Sequence, residues 1–127
     1  MISGRCECGK VRFTAEPAVL EVTICHCRQC RRLSGHLWAC VSAPRTSLTF
    51  TGDEQPQWYS SSEFAQRGFC GSCGSSLFYR ALQGQEIAIA AGSLDMPTGL
   101  LTGKHIFLKD KGDYYRIGND EVKVDRF

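Results

Sequence analysis

Seven of the eight cysteines in this 127-residue chain fall into groups whose spacing suits a metal ion. Cys6 and Cys8 form a C-x-C, Cys25, Cys27 and Cys30 a C-x-C-x-x-C, and Cys70 and Cys73 a C-x-x-C, while Cys40 stands apart. Structural zinc takes four ligands, and thiolate sulfur is a favoured donor. Counting therefore favours Cys6, Cys8, Cys70 and Cys73 on one zinc and Cys25, Cys27 and Cys30 on another, although spacing alone leaves other pairings open. The first site would be closed and structural. The second would have three protein ligands and one open position, as catalytic zinc does.

The backbone can deliver such groups. In an extended chain residues i and i+2 share a face, with Cα atoms roughly 6.6 Å apart. Two sulfurs on one tetrahedral zinc sit roughly 3.8 Å apart. A small inward lean makes C-x-C on a strand a workable claw. The C-x-x-C suits a tight turn, where Gly71 and Gly74, like Gly9 after Cys8, allow positive φ. Redox chemistry is the competing use of C-x-x-C, but it needs a βαβ setting, and no long helical pattern is present.

The elements that must position these groups read as short strands. Lys10–Thr14 alternates, Glu16-Pro17 breaks the chain, and Val19–Ile24 leads into Cys25. Arg28–Leu33 suits one helical turn carrying Cys30 and ending at Ser34-Gly35. Leu37–Ser42, Ser47–Thr51, Gln57–Ser60, Leu77–Arg80 and Glu86–Ala91 complete the set, with Gly52-Asp53-Glu54 as the turn between the third and fourth strands counted from Val19. The expected fold is mainly β, built from small packed sheets in one domain spanning residues 1–127.

Composition narrows the function classes. A net charge of +2 is too weak to argue for nucleic acid or a membrane surface. No apolar run approaches the roughly 20 residues of a membrane span, and Met1 to Cys6 contains no signal-like apolar stretch. A cytoplasmic location, with reduced thiols, is the expectation.

Several pieces match one family together: Gly4-Arg5-Cys6-Glu7-Cys8-Gly9-Lys10-Val11, Cys25-His26-Cys27-Arg28-Gln29-Cys30-Arg31-Arg32 and Phe69-Cys70-Gly71-Ser72-Cys73-Gly74. Ala91-Gly92-Ser93-Leu94-Asp95 and His105-Ile106-Phe107 follow. From about Ser3 to Tyr115 the sequence resembles the glutathione-dependent formaldehyde-activating enzymes, whose domain is shared with centromere protein V. The resemblance implies a β-tent fold of antiparallel sheets organised around zinc. It implies a structural zinc on Cys6, Cys8, Cys70 and Cys73, and a second zinc on Cys25, Cys27 and Cys30 that is open to partial occupancy.

An open zinc would accept a thiol such as glutathione. A free thiol is only a few per cent ionised at neutral pH, and coordination deprotonates it. The thiolate could add to an aldehyde carbon, and the reverse reaction is carbon–sulfur cleavage. Ionisation alone is worth at most roughly 30-fold, or about 2 kcal/mol, and a metal-bound sulfur is a poorer nucleophile. The expected activity is a zinc-dependent carbon–sulfur lyase or synthase on a thiol–aldehyde adduct, with glutathione plus formaldehyde (S-hydroxymethylglutathione) as first candidate. The alternative is a zinc-built module that binds a thiol, protein or nucleic acid without catalysis.

Arg31 and Arg32, with Arg28, flank Cys30 and could bind the carboxylates of an anionic thiol. Ser34 and His36 follow and could line the same pocket. His26 would point away from Cys25 and Cys27 if the segment is extended, which suits a supporting role. Cys40 reads as a small buried hydrophobe, and His105 as a structural histidine.

Overall fold

The computed structural model describes residues 1–118 and 121–127. Among these residues eleven short strands and one α-helix, besides three short 3-10 turns, follow in the order β1 (Ile2–Arg5), β2 (Arg12–Ala15), β3 (Glu21–Cys25), α1 (Arg28–Ser34), β4 (Trp38–Pro44), β5 (Thr49–Phe50), β6 (Gln57–Ser60), β7 (Ala65–Phe69), β8 (Ser76–Ala81), β9 (Glu86–Ala90), β10 (Leu101–Ile106) and β11 (Val122–Lys123). The fold is mainly β, as the short alternating runs imply.

Two sheets divide the strands unequally. The smaller has the order β1-β2-β5, the larger β11-β10-β3-β4-β9-β8-β7-β6. Most pairs are antiparallel, but β10 runs parallel to both β3 and β11. That arrangement was not legible as hairpins, because the partners of a parallel pair lie far apart in sequence. The strands on either side of Gly52 do not pair with each other. Phe50 of β5 faces Phe13 in the small sheet, and Gln57 of β6 faces Phe69 in the large one. The turn therefore carries the chain from one sheet to the other.

Alternation decides which faces are buried. Ile87 and Ile89 of β9 are 2% and 0% exposed, and Val41 and Ala43 of β4 turn to the same core. Phe13 from the small sheet meets Phe78 from the large one edge to face, with ring centres 5.1 Å apart. This main core contains Cys6 and Cys70. A smaller cluster contains Cys25, Cys30, Trp38 and Ala90, with Cys27, Cys40 and Tyr79 against it. Each group of cysteines thus has its own packing environment.

Helix α1 is short but well bounded. Cys27 caps it in extended geometry, its sulfur accepting from the Cys30 amide at 3.2 Å. Gly35 ends it at φ 91, a left-handed conformation that suits glycine, and its amide donates to the Arg31 carbonyl at 2.9 Å. The helix therefore ends at the residues expected from sequence.

Candidate functional site

The first group of cysteines is built from two turns of similar design. Cys6 and Cys8 lie in the turn between β1 and β2, not on a strand as the alternating geometry suggested. The Cys6 amide donates to the Val11 carbonyl, and Gly9, at φ 81, donates back to the Cys6 carbonyl. In the second turn the Cys70 amide donates to Ser75 and Gly74, at φ 80, donates to Cys70. Backbone amides also point at sulfur: Val11 to Cys6 at 3.3 Å, and Ser72 and Cys73 to Cys70 at 3.4 Å each. Such donors stabilise negative sulfur.

The turns meet across 62 residues of chain, with the Cys8 and Cys70 sulfurs 3.8 Å apart and those of Cys6 and Cys8 3.5 Å apart. Those distances match two sulfurs on one tetrahedral zinc. All four sulfurs lie within 4.8 Å of one another, so this group could hold a metal ion. The Ser75 hydroxyl, 3.2 Å from the Cys73 sulfur, holds that thiol down at about 5.

Cys25, Cys27 and Cys30 also lie within 4.8 Å of one another and could hold a second ion. Cys25 is the last residue of β3, Cys27 the helix cap and Cys30 the first buried residue of α1. Strand end, cap and first turn bring three sulfurs to one point. The neighbouring Cys25 and Cys30 thiols hold the Cys27 thiol well below its ordinary range, and the same proximity pushes Cys25 up. Cys27 is half-buried, while Cys25 and Cys30 are buried. Cys40 packs beside the cluster, its thiol pushed up to about 12 by burial, and is not one of the converging donors.

Two features of this cluster were missed in the sequence. The first is Arg67, on β7 and 8% exposed. Its Nη2 donates to the Cys30 sulfur at 3.3 Å and its Nε to the Gln29 Oε1 at 3.0 Å. The second is a chain of side chains behind Cys25 and Cys27. His26 is fully buried between Tyr115 and His105. Burial, with help from His105, holds its imidazole down at about 4, so it is neutral at pH 7. One pattern satisfies every group: the Gly112 amide donates to the Tyr115 oxygen, the Tyr115 hydroxyl to His26 Nδ1, His26 Nε2 to His105 Nδ1, and His105 Nε2 to Glu121. With both ring nitrogens engaged, His26 supports the cysteine loop and is not a ligand. The type and spacing of Arg67, Tyr115 and Glu121 carry no signal of these contacts.

The other candidate residues are spread around α1. Ser34 donates to the Cys30 and Leu37 carbonyls at 2.7 and 3.0 Å, so its hydroxyl proton is already engaged. His36 Nδ1 lies 2.9 Å from the Tyr114 hydroxyl. Arg31 is half-buried, and its Nε has no hydrogen-bond partner among the described residues; Arg32 is exposed. A cavity of about 620 Å³ borders the four-cysteine group through Cys6 and is walled by Arg5, Ser34, Trp38, Ser76 and Asp95 among others. A second, of about 330 Å³, shares Leu33, Gly74 and Ser76 with it and reaches Arg67 and Tyr59. The three sulfurs line neither cavity; the helix that carries Cys30 forms the wall through Leu33 and Ser34. Arg31, Arg32 and His36 lie outside both linings. Among the described residues no helix is long and apolar enough to cross a membrane.

These observations agree with what the chain is similar to. A protein of Schizosaccharomyces pombe, described as an uncharacterized lyase, is 27% identical over 120 residues, covering 91% of this chain and 85% of that protein. A crystal structure of a Rhodobacter sphaeroides protein superposes with a TM-score of 0.66 at 23% identity, covering 81% of this chain and 98% of that one, and supports the fold. The sequence model of the glutathione-dependent formaldehyde-activating enzymes matches residues 1–110. With nearly all the strands and every cysteine inside that stretch, the chain belongs to the glutathione-dependent formaldehyde-activating enzyme family.

Proposed function

We propose that this protein is a zinc-dependent carbon–sulfur lyase or synthase that makes and cleaves thiol–aldehyde adducts, with glutathione plus formaldehyde the first pair to test. The observation that carries the reading is the unequal sharing of sulfur: four cysteines converge at one point and three at another. In this reading Cys6, Cys8, Cys70 and Cys73 hold a structural zinc, and residues 1–127 form one domain around it. Cys25, Cys27 and Cys30 hold the second zinc and leave one tetrahedral position to a thiol substrate.

Both donor sets fit zinc, being sulfur only and closely spaced. Zinc bound at the second site would supply a lowered thiol pKa. The chain's own residues do the rest. The loop held by His26 and Tyr115 keeps Cys25 and Cys27 in register. Arg31 and Arg32 on α1 bind carboxylates of the thiol, and Ser34 and His36 border its path. In the synthetic direction the substrate sulfur forms a bond to the aldehyde carbon, and the carbonyl oxygen takes up a proton equivalent to the one the thiol gave up. In the lyase direction that bond breaks and the proton returns to sulfur.

Exchange NMR of glutathione with formaldehyde tests the reading. The zinc-loaded protein should speed interconversion of free thiol and adduct, and Cys27→Ser should return it to the uncatalysed rate. Equal rates with and without the protein would contradict catalysis.

A further inference from the structure

Arg67 is a buried cation without a carboxylate. Among the described residues the ion pairs are Lys10–Glu54 and His105–Glu121, and neither involves it. Taking a guanidinium out of water is costly unless an anion or strong acceptors replace the solvent. Its replacements are the Cys30 sulfur, the Gln29 carbonyl oxygen and two aromatic faces, with the guanidinium carbon 5.1 Å from the Tyr79 ring centre and 5.6 Å from that of Trp38. Gln29 is itself anchored, donating to the Ser61 carbonyl at 3.0 Å. The positive charge is therefore aimed at the three-cysteine cluster and held there.

Charge counting gives this placement a consequence. A zinc ion with three thiolates is formally minus one. A neutral fourth donor leaves that charge unchanged, whereas a thiolate raises it to minus two. The penalty for the second negative charge falls on the thiolate alone, and a fixed cation a few ångströms away offsets it. We propose that Arg67 is a specificity-determining residue that makes the Cys25–Cys27–Cys30 centre prefer an anionic sulfur over a neutral donor as its fourth ligand. This rests on the reading of that cluster as a metal site, and it adds to it what selects the incoming ligand. Arg67 acts through charge and needs no contact with the reacting carbon.

Cobalt substitution of the full chain tests this without turnover. The cobalt absorption bands are titrated with 2-mercaptoethanol and, separately, with imidazole, and metal content is measured in each sample. Arg67→Met should weaken thiol binding at least about tenfold while changing imidazole binding less than about threefold. Arg67→Lys, which keeps the charge, should recover most of the thiol preference. Gln29→Ala leaves the charge but loosens its aim, and should shift the ratio in the same direction by a smaller factor. That variant carries the test if Arg67→Met does not fold. Equal weakening of both ligands in Arg67→Met and Gln29→Ala would mark Arg67 as structural and overturn the proposal, as would an unchanged thiol-to-imidazole ratio. Absence of adduct turnover by the wild-type protein would count against the lyase reading instead, and the ligand ratio would still decide the role of Arg67.

Discussion

The two cysteine clusters use the same donor atom and differ in almost everything around it. Cys6 and Cys70 are part of the main core, and amides from both glycine-closed turns point at their sulfurs. Cys8 and Cys73 of that cluster are exposed, whereas in the second cluster only Cys27 is half-buried and Cys25 and Cys30 are buried. The second cluster packs in a smaller core, has the Cys30 amide on the Cys27 sulfur, and adds polar support from side chains far away in sequence: Arg67, Tyr115, His105 and Glu121. Backbone donors belong to the fold and cannot be tuned separately from it. Side-chain donors can. In the proposed reading the structural centre leans mainly on main-chain donors, with the Ser75 hydroxyl added at Cys73, and the open centre mainly on side chains, with the Cys30 amide added at Cys27.

The sharpest way to break this contrast is to remove one ligand from each cluster. Cys70→Ser, or complete chelation, should cost on the order of 10 kcal/mol, the scale of structural zinc in small domains, and should unfold the protein in a circular-dichroism melt. Cys27→Ser should lose one zinc by elemental analysis while the melting temperature falls by no more than several degrees. Equal losses in the two variants would erase the division of labour.

A smaller effect sharpens the second half of the comparison. His26→Leu leaves the Tyr115 hydroxyl and His105 without their buried partner, and should cost about 2 kcal/mol in urea unfolding. The zinc of the four-cysteine site should stay in place. Smallest of all, Ser34→Ala removes the hydroxyl that donates to the Cys30 and Leu37 carbonyls and accepts from the His36 amide, and should cost at most about 1 kcal/mol by the same measurement. A loss as large as that of His26→Leu would mean that the helix end carries more of the site than its exposed position suggests.

Much of this was legible in the residues because it is local. The cysteine spacings, the helix from Arg28 with its stop at Gly35, and strands such as Gln57–Ser60 and Glu86–Ala90 follow from short-range pattern and turn chemistry. Strand β7 was not, because Ala-Gln-Arg-Gly-Phe has no apolar alternation; its central buried side chain is Arg67. Strand β10 mixes polarity and owes its position to a parallel neighbour, β3. The His26 chain was hidden for a related reason. Tyr115 and Glu121 lie beyond the family-matched stretch, and nothing in sequence spacing brings them to a loop some ninety residues earlier, as the separation of 89 between His26 and Tyr115 shows. Local patterns report which backbone will form; they do not report which distant side chain will complete a site.

Zinc K-edge absorption on the metal-loaded protein, with and without glutathione, tests the central claim most directly. Two zinc ions per chain should show on average about three and a half sulfurs each, rising to about four when glutathione is added. One zinc per chain, or a sulfur count that glutathione leaves unchanged, would contradict the account.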